Sequence, residues 1–325
     1  MGEIPRTKFS MRIEPDCFED ELRYAKHIGY DGVYCWLRDE HLNLESMQRI
    51  RDRVESFGLE LYTMHSYRLC KNADIQLNRP GRSKAIDEYC KMLENLGKVG
   101  IPSTNFTWEP TATTEWNHPE NRWSRGAATR YVDQSEIALR QGLLHDREYT
   151  RDELWDNLFH FLDIAVPVAE SAGVGMALHP NDPPIEGAQG VPFLIRGRAD
   201  YERVFERYSS KTLGMEFCIG CWLEGPETFG DVRSGFRQFC KDDRVWVIHF
   251  RNIDRPLPAF QETYLDNGYF NMWDMAQEIV NGGYHRSLIL DHIPTLPEPS
   301  KHVPVAYSMG YLRAMFDRLY DEQNL

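Results

Sequence analysis

Residues 173–180 read GVGMALHP, a short apolar run that ends in a histidine and a proline. Apolar residues recur at helical spacing in the preceding segment, 151–173, which closes on glycine as helix C-termini commonly do. A helix followed by a buried strand is the repeating unit of parallel α/β folds. The stretch therefore predicts one such unit.

Seven further apolar runs have the same form, and amphipathic segments such as 18–29 and 83–100 lie between them. The eight runs cover residues 9–13, 32–37, 59–66, 103–110, 173–180, 212–218, 244–250 and 287–292. Eight alternating units predict an α/β fold closed into a (β/α)8 TIM barrel. An open doubly wound sheet is the alternative, but the Gly-rich phosphate-binding turn that usually follows its first strand is missing after residues 9–13.

Residues 111–150 break this alternation after the fourth strand. They are polar, and we interpret them as an insertion over the barrel mouth that forms a lid or a subunit contact. No linker composition divides the chain, so we predict a single TIM-barrel domain over residues 1–325 with the insertion inside it. We also expect a homo-oligomer, a dimer or larger.

The formal net charge of −13 argues against nucleic-acid and anionic-membrane partners, which the overall field would repel. The first residues do not form a signal peptide, and no run approaches the roughly 18 apolar residues of a membrane span. Seven scattered cysteines do not suggest a disulfide framework. Cys218 and Cys221 have C-x-x-C spacing, but the second pair that a zinc ribbon needs is missing. These features predict a cytoplasmic protein.

The last four predicted strands end in residue types that bind metals. They offer an imidazole, a thiol, an imidazole and a carboxylate, which are His179, Cys218, His249 and Asp291. Each residue alone is compatible with a structural role, but a single ion at the barrel rim explains all four together. Zinc, iron, cobalt and manganese all accept such donors, so we predict a divalent transition metal that acts as a Lewis acid.

Three further residues lie close to these in the sequence. Alternation along a strand places Arg251 on the same side as His249, where it would grip a carboxylate, although an outward surface salt bridge fits alternation equally well. His292 follows Asp291 and reaches the site only if the loop bends there. Tyr307 starts the last helix, where the pattern alone favours packing.

The chain resembles the mannonate dehydratase family from about residue 20 to the C-terminus. The resemblance is carried by ALHPNDPP (177–184), LGMEFCIG (213–220), VIHFRNI (247–253), ILDH (289–292) and AYSMGYLRAM (306–315). Members of this family are (β/α)8 barrels that use a divalent metal, often manganese, to remove water from D-mannonate and give 2-keto-3-deoxy-D-gluconate. The resemblance implies a metal-dependent hydro-lyase of hexuronate catabolism with a sugar-acid substrate.

Carried over by residue, the resemblance implies metal ligands at the four positions named above and catalytic roles for Arg251, His292 and Tyr307. Arg251, Asn105 and His65 are the predicted substrate-binding residues, and residues 130–133 (RYVD) also resemble a family segment. The chain departs from the family where His65 replaces a glutamate, where IPTLPEP follows His292, and in a shorter insertion.

Two other functions are compatible with a metal site at the rim of the barrel. A sugar isomerase or epimerase of the xylose-isomerase-like barrels would typically use a carboxylate-rich ligand set, and a sugar-acid binding or regulatory barrel would bind without turnover. A dehydratase that acts on a different aldonic acid would keep the ligands and vary the loops. Counting carboxylate ligands separates the first possibility from the dehydratase.

Overall fold

The barrel strands are short apolar segments, because parallel strands covered on both faces bury nearly every side chain. The structure is a computed structural model that describes residues 5–110, 122–140 and 142–323. All six residues of Leu213–Cys218, for example, are buried. The barrel strands are β1 (Lys8–Ile13), β2 (Gly32–Leu37), β3 (Glu60–Ser66), β4 (Ser103–Thr107), β5 (Gly175–His179), β6 (Leu213–Cys218), β7 (Val245–His249) and β8 (Ser287–Ile289).

These strands form a closed parallel barrel in sequence order. Closure is made by β1 and β8, which pair in parallel with Phe9 opposite Leu288. The predicted (β/α)8 TIM barrel is therefore confirmed.

A helix follows each barrel strand and covers the outside of the sheet. The long helix after the insertion begins with a capping box between Thr150 and Glu153 and ends at Gly173, whose φ of 68° suits glycine. The helices are α1 (Glu19–His27), α2 (Leu44–Ser56), α3 (Arg82–Val99), α4 (Arg151–Ala172), α5 (Arg198–Arg207), α6 (Val232–Lys241), α7 (Met272–Asn281) and α8 (Val303–Gln323). Short helices at Tyr67–Cys70, Ala73–Gln76, Gln134–Ala138, Ile219–Glu224 and Pro226–Phe229 lie in the connections.

The hydrophobic core has two parts. The larger cluster includes residues of the strands and of the surrounding helices, such as Phe9, Leu158 and Phe316. A small cluster of Tyr34, Ala177, Val247 and Ile289 comes from strands alone. Because side chains alternate along a strand, the residues two positions after Ala177 on β5 and after Val247 on β7 lie on the same inner face of the barrel as this small cluster, nearer the C-terminal rim.

The insertion contributes short strands to the C-terminal side of the barrel. Arg122–Ser124 pairs with Ala127–Thr129, and Tyr131–Asp133 pairs antiparallel with Ala259–Thr263 in the connection after β7. Residues 111–121 and 141 lie outside the described residues. The division into one domain and the lid role of 111–150 stay predictions.

Four observed strands end earlier than the sequence pattern indicates, which are β4 at Thr107, β5 at His179, β7 at His249 and β8 at Ile289. β7 stops at His249 and β8 at Ile289, so Arg251, Asp291 and His292 all lie in connections. Among the described residues, no helix combines the length and apolar character needed to cross a membrane. All seven cysteines are free thiols.

Candidate metal centre and active site

The predicted metal ligands lie at the C-terminal ends of four neighbouring strands. His179, Cys218 and His249 are the last residues of β5, β6 and β7, and Asp291 follows β8 by two residues. Cys218 is directly opposite His249 in the strand register. The order of strands in the barrel therefore brings these side chains to one part of the rim.

The donor atoms of His179, Cys218 and His249 all lie within 4.8 Å of one another. Asp291 adjoins two of them, with Oδ1 3.4 Å from His249 Nδ1 and Oδ2 3.9 Å from Cys218 Sγ. Bonds of about 2.0–2.3 Å at tetrahedral angles would separate the donor atoms of one metal by about 3.3–3.8 Å. The spacing of the three donors is compatible with a single ion, and Asp291 lies against two of them.

The hydrogen-bond partners of the two histidines also fit a metal. His179 Nδ1 lies 2.6 Å from the carbonyl oxygen of Pro180, which can only accept, so Nδ1 carries the proton and Nε2 is left to bind. His249 Nδ1 has no hydrogen-bond partner among the described residues, although it is buried and faces Asp291. A cation between these side chains would satisfy that nitrogen.

Electrostatics favour the ionised forms that metal ligands need. Burial opposes ionisation of Cys218, but the contact with Cys221 and the charge of Arg251 outweigh it and hold the pKa of the Cys218 thiol well below its usual value. Burial also opposes ionisation of Asp291, and the nearby His249 and His292 hold its pKa well below the usual range. A thiolate and a carboxylate are the forms that bind a divalent metal.

Arg251 lies beside the candidate metal centre and is completely buried. Its Nε donates to Asp291 Oδ2 at 2.8 Å, its Nη1 to Glu224 Oε1 at 2.6 Å, and its Nη2 to Asp182 Oδ2 at 3.0 Å. Each guanidinium nitrogen therefore already meets a carboxylate of the protein. β7 ends at His249, and Arg251 points into the protein toward these acids, so its role as a substrate clamp stays a prediction.

A cavity of about 790 Å³ lies against the metal centre, and His179, His249 and Asp291 form part of its wall. Predicted substrate-binding and catalytic residues also line it, namely His65, Asn105 and His292. Three cationic side chains face the same space, which are Arg12, Lys71 and Arg130. The cavity thus adjoins the candidate metal centre and carries these three cations beside five acids, which are Glu21, Glu109, Asp182, Glu216 and Asp291.

His65 and Asn105 contribute unpaired polar atoms to this cavity. Both ring nitrogens of the buried His65 and the Oδ1 atom of Asn105 lack hydrogen-bond partners in the described part of the chain. Burial lowers the pKa of His65 to about 3, so its imidazole is neutral. An unpaired buried polar group costs about 1–3 kcal/mol, which a ligand hydroxyl would recover.

His292 and Tyr307 are placed differently. The His292 side chain is 42% exposed and lines the cavity, with Nδ1 2.9 Å from Glu262 Oε1. The Tyr307 hydroxyl donates to Asp266 Oδ2 at 2.7 Å, and Tyr307 is not among the described residues that line the cavity. The structure brings His292 to the cavity and does not bring Tyr307 there.

Sequence analysis did not single out three charged residues at this site. Glu216 lies two positions before Cys218, and strand alternation could have identified it. Arg130 begins the RYVD segment and contacts the His292 ring, Asp182 and Glu262. Glu262 lies in the connection after β7, where no periodic pattern indicates which way a side chain points.

Comparisons with known proteins identify relatives of this chain. The model of the family described as D-mannonate dehydratase (UxuA) matches residues 136–321. The mannonate dehydratase of Streptococcus equi subsp. zooepidemicus is 29% identical over 243 residues, which are 68% of this chain and 65% of the relative. That of Streptococcus pneumoniae is 28% identical over 274 residues, 77% of this chain and 74% of the relative.

Solved structures give the same result. The crystal structure of mannonate dehydratase from Streptococcus suis serotype 2 matches with a TM-score of 0.87 at 25% identity and covers 98% of this chain and 95% of that one. The 3-keto-D-glucoside 4-epimerase of E. coli matches with a TM-score of 0.63 at 14% identity, covering 95% of this chain and 100% of that one, which shows a shared fold alone. Because the family model matches more than half of its length, the chain belongs to the D-mannonate dehydratase (UxuA) family.

Proposed function

We propose that this protein is a metal-dependent hydro-lyase that removes water from D-mannonate to give 2-keto-3-deoxy-D-gluconate. The observation that carries the proposal is the donor cluster of His179, Cys218 and His249, within 4.8 Å and beside a cavity, in a chain of the D-mannonate dehydratase family. The match spans 65% of one relative and 74% of another, so the activity is inferred from the site as well as from the family.

The residues proposed to hold the metal are the three cluster members and Asp291. A sulfur, two nitrogens and one carboxylate suit a divalent transition metal, and we propose Mn²⁺, with Fe²⁺, Co²⁺ and Zn²⁺ as alternatives. When bound, such an ion supplies Lewis-acid stabilisation for the negative charge that develops beside the substrate carboxylate. Arg251 would orient Asp291 through the contact between its Nε and Oδ2 of that carboxylate.

Dehydration requires a proton to leave C2 of the substrate and a hydroxide to leave C3. His292 lines the cavity, and we propose it as a general acid or base for these steps. The Glu262 carboxylate lies 2.9 Å from its Nδ1 and orients the ring. Tyr307 stays the predicted partner in proton transfer. Its hydroxyl contacts Asp266 in the structure, so its role rests on the family resemblance.

The carboxylate of the substrate needs a cation inside the cavity. Arg130 lines the cavity next to His292 and also meets Asp182 and Glu262, whereas Arg251 is not among the described residues that line the cavity. We therefore assign to Arg130 the orienting role expected of Arg251, since a guanidinium can grip a carboxylate with two parallel bonds. His65 and Asn105 would pair with hydroxyl groups of the sugar chain.

The donor set also bears on the alternative functions. Two carboxylates, Asp291 and Glu216, contact the cluster in the described residues, but the cluster itself consists of two histidines and a cysteine, whereas sugar isomerases with this fold typically rely on several carboxylates as ligands. The dehydratase is therefore preferred. A binding barrel without turnover, or a dehydratase for another aldonic acid, is distinguished by the assay below.

The cellular setting is part of the proposal. Seven free cysteines suit a reducing compartment, so we place the enzyme in the cytoplasm. A homo-oligomer, dimer or larger, also stays a prediction, which analytical ultracentrifugation would check.

The test is to strip the purified protein with a chelator, reload it with Mn²⁺ and incubate it with a panel of hexonates. We expect a 2-keto-3-deoxy acid from D-mannonate in the reloaded enzyme and not in the stripped enzyme. Keto acid from a different hexonate would correct the substrate, and tight binding without product would identify a binding protein. Failure of every aldonate to react would refute the dehydratase.

The ligand assignment is tested separately by binding. His179→Ala and Asp291→Ala should each abolish stoichiometric Mn²⁺ binding, because each removes a donor from a four-residue site. His285→Ala is the matched control, since this histidine is exposed and precedes β8, at the other end of the strand. Equal metal content in all three variants would contradict the assignment.

A further inference from the structure

Glu216 interrupts an apolar layer inside the barrel. On β5 and β7 the residue two positions before the metal ligand is Ala177 or Val247, and before Asp291 it is Ile289, all buried in one small cluster. The corresponding residue of β6, two positions before Cys218, is a glutamate that is 1% exposed. Burying a carboxylate costs several kcal/mol unless other groups compensate, so Glu216 needs an explanation.

Two contacts compensate for this burial. Glu216 Oε1 lies 2.6 Å from Nε2 of His249, and Oε2 accepts a hydrogen bond of 2.9 Å from Asn105 Nδ2. His249 is therefore touched by Glu216 at one ring nitrogen and faces Asp291 with the other. The carboxylate lies below the candidate ligands, toward the middle of the barrel.

The chemistry of these groups fixes which nitrogen carries a proton. A carboxylate only accepts, so a neutral His249, the form that binds a metal, carries its hydrogen on Nε2 beside Glu216 and presents the bare Nδ1 to Asp291. That nitrogen has no hydrogen-bond partner among the described residues. His179 is arranged in the same way, because the Pro180 carbonyl oxygen lies against its Nδ1.

We propose that Glu216 is a positioning residue of the metal centre, whose carboxylate fixes the tautomer and the orientation of His249 so that Nδ1 binds the metal. The inference rests on the metal site of the proposed function but not on the substrate or the reaction. A carboxylate that accepts the second N–H of a metal-binding histidine raises its basicity and strengthens binding.

The experiment measures Mn²⁺ affinity by competition with a fluorescent chelator. Glu216→Met keeps the length of the side chain and removes the acceptor, and we expect about 10- to 100-fold weaker binding. Glu216→Gln keeps an oxygen that can accept from Nε2, and we expect it to retain more of the affinity. Ile289→Leu is the matched control, because Ile289 has the same relation to Asp291 without a polar contact, and we expect a change below about twofold.

The outcomes separate this inference from the proposed function. If the unaltered protein binds Mn²⁺ and Glu216→Met binds it equally tightly, the positioning role is overturned and the dehydratase stands. A loss in Glu216→Gln as large as that in Glu216→Met also overturns it, since charge rather than the accepted hydrogen bond would then matter. If the unaltered protein binds none of Mn²⁺, Fe²⁺, Co²⁺ and Zn²⁺, both fall.

A second measurement does not depend on a variant that folds. A crystal structure of the unaltered protein loaded with Mn²⁺ should show His249 bound through Nδ1 and Glu216 still on Nε2. Coordination through Nε2, or direct coordination by Glu216, would overturn the proposal.

Discussion

Replacing Arg251 with methionine would remove the cation from a buried group of acids. Arg251 and Glu224 are both completely buried, and Nη1 meets Glu224 Oε1 at 2.6 Å. The second oxygen of Glu224 has no hydrogen-bond partner within the described ranges. Asp182 and Asp291 also lose a contact at 3.0 and 2.8 Å. Glu224 is the carboxylate most dependent on this arginine.

The cost has an upper limit for each acid, because an orphaned carboxylate can take up a proton. Burial, with the charge of Asp182, already holds the pKa of Glu224 well above its usual range against the opposing effect of Arg251. For an orphaned Glu224 at pH 7, protonation therefore costs at most about 3.7 kcal/mol, which is the cost from an ordinary pKa of about 4.3 at about 1.4 kcal/mol per pH unit. Asp182 keeps Arg130 and Asp291 keeps His249, so their losses are smaller. We expect Arg251→Met to lower the free energy of unfolding by about 3–5 kcal/mol at pH 7.

The same reasoning gives the sign of the pH dependence. At pH 5 the protonation of Glu224 costs only about 1 kcal/mol. Without Arg251 to oppose protonation, the folded variant holds a proton on Glu224 to a higher pH than the folded unaltered protein does, so lowering the pH favours the variant relative to the unaltered protein. The destabilisation should therefore shrink, by at most about 2–3 kcal/mol, between pH 7 and pH 5.

Urea unfolding followed by circular dichroism, with chelator in all samples, measures this difference. Arg255→Met is the control, since the Arg255 side chain is 70% exposed and its pair with Asp254 should contribute below about 1 kcal/mol. A destabilisation of Arg251→Met below about 1 kcal/mol at pH 7, or one that grows between pH 7 and pH 5, would refute the account of this cluster.

Three further predictions concern other parts of the chain. The pKa of His65 in the folded protein is about 3, so between pH 7 and pH 5 only the unfolded chain gains a proton on this residue, near pH 6.5. The unaltered protein should therefore lose about 2 kcal/mol of unfolding free energy over this range because of His65. His65→Gln should not show this loss, which urea titration at the two pH values measures. Gly235→Ala would put a Cβ 2.0 Å from the buried Trp222 ring and should destabilise by about 1–3 kcal/mol, whereas Gly310→Ala meets nothing within 4 Å and should stabilise by up to about 1 kcal/mol; equal effects would contradict the packing. Arg130→Lys keeps the charge but loses the planar fork, so kcat/KM for D-mannonate should fall at least about tenfold, and an unchanged value would remove Arg130 from the site.

The barrel could be predicted from the sequence because its strands are buried on both faces and read as separate apolar runs. The same runs locate His179, Cys218 and His249, since each is the last residue of a strand. The side chain of Arg251 could not be placed this way, because β7 ends two residues earlier and the connection sets its direction. Three-dimensional charge pairing, which periodicity does not report, decides where that guanidinium lies.

Two other residues show different limits. Glu216 could have been found, because alternation from Cys218 points it inward and a lone acid in an apolar strand is unusual. Glu262 could not, because it comes from the connection after β7, far from His292 in the sequence. Tyr307 was assigned by resemblance, and its hydroxyl contacts Asp266.

The pairing of Tyr131–Asp133 with Ala259–Thr263 ties the insertion after β4 to the connection after β7. Arg130 precedes the first of these strands, and Glu262 lies within the second. Loop grafting between relatives, a common route to new substrate preferences, must therefore exchange both segments as one cassette. A chimera that exchanges one segment alone would separate Arg130 from Glu262, the acid whose carboxylate contacts His292.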